Sequence, residues 1–342
     1  MANWLDAFDK KALDWLLESD IPDVRYLARR DLLDAPENDP QRVEDARQAH
    51  TQGMIAGVLS EMKEEGCWAR PGPGYNPKYY STVWALTLLA QLGAQIRMDA
   101  RLGRACDYLV RNSLASGGQF TYNGSPSGTI DCLQGNLCWV LLTLGYPAAA
   151  LQPALDWMAR SVTGEGIAPA SDSRAKVRYY AFKCGPNFAC GINQKQSCAW
   201  GAAKVMLAFS AVPEAQRTPL VKSAVRQGVD FFFSVDPADA AYPTANGKPP
   251  SRDWWKFGFP VFYITDLLQV AESLAALGFA HDPRLQRTVA IIRAKRDSEG
   301  RWPLEFDYRG KTWGDFGVKN EPSPWVTLRA LRVLKAVNQP GS

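Results

Sequence analysis

The stretch that decides the fold lies near the end of the chain, where DSEGRWPLEF (residues 297–306) is followed by PSPWVTLRALRVL (322–334). It combines a Gly/aromatic turn, an irregular loop and an apolar helix. Segments with this order of features occur at 64–93, 116–146, 164–212, 242–279 and 298–336. A supersecondary unit that recurs along a chain is the signature of a repeat architecture. We therefore expect one structural unit to be repeated around the molecule.

Helical patterns of a second kind lie between the repeats. In DPRLQRTVAIIRAKRD, Leu285, Val289 and Ile292 form an apolar stripe opposite charged side chains, as on surface helices. The helices within the repeats are instead apolar on nearly every face, as buried helices are. The amphipathic patterns cover 41–62, 97–113, 149–161, 216–234 and 282–296. Alternating buried and surface helices, about six of each, predict an all-α (α/α)6 toroid built as a single domain over residues 1–342.

The composition is that of an ordinary globular protein, with 46% hydrophobic and 22% charged residues. The net charge is only +4 and the basic residues are scattered, which argues against a nucleic-acid partner. No uncharged apolar stretch approaches the ~18 residues that span a bilayer. The first residues lack the pattern of a secretory signal, and the seven cysteines, an odd number, argue against a disulfide framework. We expect a soluble, cytoplasmic protein, and a homo-oligomer is compatible with the sequence.

The turn at 297–306 and the helix at 322–334 resemble the repeat of the terpenoid cyclase and protein prenyltransferase superfamily. The resemblance covers most of the chain and implies a helical toroid with a central cavity. The chain also resembles an uncharacterised bacterial group that is sometimes labelled after the nitrogenase iron protein. That label implies a P-loop, and the sequence contains no G-x-x-x-x-G-K-[ST], which excludes nucleotide-driven electron transfer.

The long loops of a toroid indicate where a site would lie. Loops that precede inner helices gather at one end, where helix N-termini offer unpaired N–H groups. Here these loops are long and the opposite connections are short, so we expect function on the long-loop face, formed by 64–80, 117–131, 164–197, 240–259 and 299–323. Its many aromatic residues either pack the loop layer or line an apolar pocket. The predicted substrate-binding residues are Tyr79, Tyr80, Tyr180, Phe188, Trp254, Trp255, Lys256 and Trp313.

Cysteines are concentrated in CGPNFACGINQKQSCAWG (184–201). Cys184, Cys190 and Cys198 lie just before or at the start of one inner helix, and Cys132 begins another. A helix N-terminus lowers the pKa of a thiol, so these four are candidates for reactive or metal-binding groups. Asp131, directly before Cys132, is either a helix N-cap or an acid on the same long-loop face.

Two functions follow from these residues. The prenyltransferase resemblance implies a zinc-containing transferase, with Asp131, Cys132, Cys184 and Cys190 as the zinc ligands. The sequence has only two histidines and lacks the D-x-C spacing of that family, and it also lacks the D-x-D-D and D-D-x-x-D motifs of terpenoid cyclases. The loop cysteines resemble those of the linalool dehydratase-isomerase family, which implies acid–base work by Cys184 and Cys190.

The leading hypothesis is a lyase or isomerase without a cofactor. It acts on a small hydrophobic alcohol, terpenoid or aromatic, with Cys184, Cys190, Asp131 and Cys132 as its catalytic residues. Two alternatives stay open besides zinc. Glu305, Asp307 and Asp315 in the last long loop would suit glycoside or uronate chemistry, and the aromatic mouth would suit a protein that binds a hydrophobic ligand without chemistry.

Overall fold

The computed structural model describes residues 10–169, 171–175, 177–178 and 183–339. In this part of the chain the secondary structure is almost entirely helical. One set of helices is buried on most faces and forms an inner ring: α2 (Pro22–Asp31), α5 (Thr82–Gln91), α7 (Asp131–Leu144), α9 (Ala199–Ser210), α11 (Leu267–Leu274) and α13 (Pro324–Asn338). The helices that alternate with them along the chain lie outside: α1 (Lys10–Leu17), α3 (Pro40–Thr51), α4 (Met54–Ser60), α6 (Ala100–Ser113), α8 (Ala148–Thr163), α10 (Pro219–Phe232) and α12 (Gln286–Ala294).

The ring closes between its first and last inner helices. The Arg332 guanidinium of α13 donates to the Asp31 carboxylate of α2, with 2.8 Å between Nε and Oδ2. All six inner helices contribute side chains to a single cavity. The all-α (α/α)6 toroid predicted from the sequence is therefore confirmed. In the described residues no helix is both long enough and apolar enough to cross a bilayer.

The Gly/aromatic turn that defines the repeat joins an outer helix to an inner one. In the last repeat, Gly300 has φ +76°, a left-handed conformation that favours glycine. The turn places Trp302 between two helices: its indole N–H donates to the Ile292 carbonyl of α12 at 2.6 Å, and its backbone N–H donates to the Thr327 hydroxyl of α13 at 3.0 Å. Trp302 thus fixes the distance between α12 and α13.

The first repeat contains the same contacts. Gly66 has φ +88°. The indole of Trp68 donates to the Val58 carbonyl of α4 at 2.8 Å, and its backbone N–H donates to the Thr82 hydroxyl of α5 at 3.1 Å. Both tryptophans are fully buried. The first and last repeats therefore share not only their residue types but also the hydrogen bonds that the turn makes.

Two predicted boundaries were wrong. The single outer helix expected at 41–62 is divided into α3 and α4, because the buried carboxylate of Asp23 accepts hydrogen bonds from the backbone N–H groups of Met54 and Ile55 at 3.0 and 3.1 Å and so starts a new helix. The fourth loop was expected to end at 259, but α11 begins only at Leu267, after its N-cap Asp266.

The segment 257–265 crosses the interior of the ring. The side chain of Gln91 makes two hydrogen bonds with the backbone of Val261, at 2.8 and 3.0 Å. The amide of Asn136 donates to the Phe262 carbonyl, and Arg329 donates to the Gly258 carbonyl. Because polar side chains from α5, α7 and α13 pair with its backbone, this segment stays irregular although its sequence is strongly apolar.

Candidate active site

A short hairpin carries one thiol over the N-terminus of α9. Strands β1 (Ala189–Cys190) and β2 (Gln196–Ser197) pair antiparallel, with Cys190 opposite Gln196. The backbone N–H of Cys198, the N-cap residue of α9, donates to the Phe188 carbonyl at 2.9 Å. Residues 190 and 198 therefore face the same side of the hairpin, because Cys198 lies two residues beyond Gln196, the residue opposite Cys190.

A second element brings Asp131 and Cys132 to the same place. Both residues lie in the first turn of α7. Helices α7 and α9 pack so closely that a Cβ atom placed on Gly201 would lie 3.3 Å from the Asp131 Cβ and 3.9 Å from the Cys198 Cβ. The first turns of the two inner helices thus present Asp131, Cys132 and Cys198 to one another, with Cys190 above them.

Asp131 is not a helix cap, contrary to one reading of the sequence. The cap position is Ile130, and the Asp131 carboxyl turns toward α8, where Oδ1 accepts a hydrogen bond from the Ser161 hydroxyl at 3.3 Å. The side chain is buried, and its Oδ2 atom has no partner of full hydrogen-bond geometry in the described structure, although the Gly185 N–H also faces the group. Burial, helped by negative charge on Cys190, raises the pKa of Asp131 well above its usual range. This environment favours the neutral carboxyl over the carboxylate.

The surroundings of Cys190 shift its pKa in the opposite direction, downward. A hydrogen bond from the Cys198 thiol lowers the pKa of Cys190 to about 6 despite partial burial, and the N–H groups of Ile192 and Asn193 and the charge of Lys183 act in the same direction. The same hydrogen bond, together with burial, raises the pKa of Cys198 well above its usual range. Of the two groups, Cys190 is therefore the one whose surroundings favour the thiolate.

Cys132 completes the cluster as a neutral thiol. Burial, with the negative charge of Cys190, raises its pKa to about 12. A helix N-terminus alone predicted a lowered pKa for this thiol, but desolvation outweighs that effect here.

Cys184 was predicted to pair with Cys190. The structure buries Cys184 directly before Gly185, and it adds a thiol that was not part of that predicted pair, Cys198, as a hydrogen-bond donor to Cys190. Within the described residues no group of three or more His, Cys, Asp or Glu side chains is arranged to hold a metal ion. The four residues of the zinc alternative, all of them described, do not form such a group.

Lys204 was not singled out from the sequence. It lies on α9, is fully buried, and donates from Nζ to the Gln269 Oε1 of α11 at 2.6 Å. Burial lowers its pKa to about 7, although the carboxylate of Asp266 and the thiol of Cys132 oppose this. The available signal was a lysine inside an otherwise apolar helix, which marks a buried cation with a function or a partner.

The predicted substrate-binding aromatics are dispersed. Phe188 and Trp254 are fully buried packing residues: Phe188 packs on Phe231 with 5.4 Å between ring centroids, and the Trp254 indole donates to the Pro237 carbonyl. Their side chains fill the space between loops and α10, because these loops are long enough to need a core of their own. Trp255 is likewise bonded through its indole, to the Ala238 carbonyl.

The remaining predicted binding residues lie in two other places. Tyr79 stacks on Phe262, with 5.2 Å between ring centroids, within the aromatic layer above the ring. Tyr80 meets Trp313 edge-on at 5.1 Å. Lys256 forms an ion pair with Asp253 and lines a charged groove of about 290 Å³ that also includes Glu305 and Asp307. Asp315 lies by Arg309, and Tyr180 lies outside the described residues.

No family model matches the chain, and no curated protein matches it. Similar solved structures include a polysaccharide lyase, with 12% identity over 97% of this chain and 90% of the other and a TM-score of 0.45. A protein from Actinoplanes is 11% identical over 86% of this chain and 99% of the other, with a TM-score of 0.30. A glycosidase is 12% identical over 87% and 98%, with a TM-score of 0.32. These sequence identities and TM-scores are too low to assign an activity to this chain.

Proposed function

We propose that the protein is a lyase or isomerase in which Cys190 is the base and Asp131 is the acid. One relationship carries the proposal: Cys190 lies close enough to Asp131 for its charge to raise the pKa of that carboxyl, while a hydrogen bond from Cys198 lowers the pKa of Cys190. Environments that push the pKa values of two neighbouring groups in opposite directions provide a base and an acid at the same pH.

The reaction that uses both groups is the dehydration of an alcohol. The Cys190 thiolate removes a proton from the carbon next to the carbinol carbon, and that electron pair forms the C=C bond. The C–O bond breaks as Asp131 donates its proton to the leaving oxygen, which departs as water. Cys190 is then a thiol and Asp131 a carboxylate, and proton transfer between them restores the starting state. Addition of water at a different carbon would make the same cycle an isomerisation.

The surroundings favour a hydrophobic substrate. Tyr263 is buried, lies near Cys132, and packs on Tyr75, with 6.0 Å between ring centroids. Tyr122 packs on the other side of Tyr75 at 5.6 Å, and the Lys183 ammonium lies over the Tyr122 ring at 4.6 Å. An apolar body would contact the rings, and the positive charge of Lys183 would stabilise the Cys190 thiolate.

The test is a screen of small terpenoid and aromatic alcohols for alkene formation, with single variants of the two groups. Cys190→Ser and Asp131→Asn should each lower turnover at least ~100-fold, the usual range for loss of a general acid or base. Cys106→Ser, in outer helix α6, is the matched control and should keep the full rate. Full activity in either of the first two variants would sink the assignment.

A further inference from the structure

The cavity enclosed by the inner helices lies at the end of the ring opposite the thiol cluster. It measures about 320 Å³ and is formed mainly by the C-terminal halves of the inner helices, with Phe259 and Val261 of the crossing segment as part of its lining. The thiol cluster lies at the N-termini of α7 and α9. The cavity is therefore a separate site.

Its walls are mainly apolar. Trp139, Leu207, Phe259, Val261 and Val333 supply the large apolar side chains. Small side chains keep it open, and two of them, Ala275 and Ala276, belong to a π-helical turn after α11.

The polar groups deep in this cavity are already paired within the protein. Gln91 is bonded to the backbone of Val261, and Gln269 accepts from Lys204. Glu272 also lines the cavity, but both of its oxygens accept hydrogen bonds from Arg329. The inner part therefore offers an apolar surface to a ligand.

Near the surface of the cavity the arginines outnumber the carboxylates that pair with them. Arg30 and Arg332 both line the cavity and share one carboxylate, Asp31: Arg30 Nε is 2.5 Å from Oδ1 and Arg332 Nε is 2.8 Å from Oδ2. Two guanidinium groups on one carboxylate leave a net charge of one positive. Both side chains are partly open to solvent, with 25% and 30% of their areas exposed.

We propose that this cavity binds a small amphipathic carboxylate, with its charged group on Arg30 and Arg332 and its apolar body against Trp139 and Leu207. Guanidinium groups bind carboxylates through paired, charge-assisted hydrogen bonds, and one Asp31 engages only part of the ten N–H donors of two arginines. An apolar pocket with a few charged groups at one side is the usual form of a small-molecule site.

Isothermal titration calorimetry with 2-naphthoate, and with neutral 2-naphthamide of the same shape, tests the proposal. We expect naphthoate to bind at least tenfold more tightly, which corresponds to about 1.4 kcal/mol. Arg332→Gln should weaken naphthoate binding by a similar factor. Ala336→Trp and Thr143→Trp, which fill the cavity from two different helices, should abolish it. Arg226→Gln, on the exposed face of α10, is the matched control, and a melting curve checks the folding of each variant.

Three results would overturn the proposal. The first is equal binding of the acid and the amide, which would remove the role of the arginines. The second is naphthoate binding that survives in both folded tryptophan variants. The third is no heat of binding for naphthoate at about 1 mM, a concentration that detects even weak sites. Cys190→Ser should bind naphthoate like the unaltered protein, so this result is independent of the proposed dehydratase activity.

Discussion

Gly135 of α7 lies directly against the backbone of Lys204 in α9: a Cβ atom on Gly135 would be 2.3 Å from the Lys204 carbonyl carbon and 2.5 Å from the Val205 nitrogen. No side chain other than hydrogen fits there. This contact lets two inner helices approach closely enough to bring Asp131 and Cys198 together at their N-termini. The candidate site therefore depends on a glycine that does not touch it.

Replacing Gly135 with alanine should force α7 and α9 apart. We expect Gly135→Ala to lower the free energy of unfolding by about 1–3 kcal/mol, the usual cost of overpacking, as measured by urea denaturation. It should also move the pKa of Cys190 toward the ordinary thiol value.

Gly57→Ala is the matched control, because a Cβ atom there meets nothing within 4 Å. Alanine is the better helix former, so this change in α4 should raise stability by up to about 1 kcal/mol. Equal effects of the two substitutions would contradict the close-contact explanation.

The reactivity of Cys190 should follow its lowered pKa. The rate of its alkylation by iodoacetamide, measured by mass spectrometry of the 184–201 region, should rise with pH and reach half its maximum near pH 6, because the hydrogen bond from Cys198 stabilises the thiolate. Cys198→Ala removes that bond and should shift the midpoint upward. A midpoint near 9 in the unaltered protein would show that Cys190 is an ordinary thiol.

Asp131 should make stability depend on pH. Its pKa is raised on folding, so its contribution to stability is complete below the pKa of the unfolded chain and is lost as the pH rises through the higher folded value. Asp131→Asn cannot ionise. We expect the variant to melt at a higher temperature than the unaltered protein at alkaline pH, with the difference shrinking toward pH 4. Parallel melting curves across this range would argue that Asp131 is ionised in the folded protein.

Arg329 should be essential to the inner ring. It is almost fully buried between Asp266 and Glu272, at 2.8 and 2.7 Å. Arg329→Met would leave two carboxylates without their cation, and we expect a loss of about 3–5 kcal/mol in urea denaturation. Arg287 also contacts two carboxylates, but on the surface. Arg287→Met should change the denaturation midpoint little, and a comparable loss in both variants would contradict this assignment.

The helices were the predictable part of the fold, because the distribution of apolar residues along each helix indicates whether it is buried or lies at the surface. The stripe of Leu285, Val289 and Ile292 identified an outer helix, and the turn at Trp302 marked the entry to an inner one. The path of 257–265 could not be predicted in this way. Its apolar residues are typical of a buried helix, and the side chains that hold it irregular, such as Gln91 and Arg329, are distant in the sequence.

The candidate site was predictable in part. Asp131, Cys132 and Cys190 were chosen from their positions at helix starts, and the structure brings these three together. Cys198 could not be deduced as the partner thiol, because Cys184 is nearer to Cys190 in the sequence and only the register of the hairpin places Cys198 beside it. Lys204 was missed for a related reason: its role depends on Gln269, from the neighbouring inner helix.

The crossing segment forms one wall of the cavity within the ring, through Phe259 and Val261. Its backbone is fixed to α5 through Gln91, to α7 through Asn136 and to α13 through Arg329. This wall is therefore anchored by three inner helices at once. A substitution at any one of the three anchors would reshape the cavity by releasing backbone, even where the side chain itself never touches a ligand.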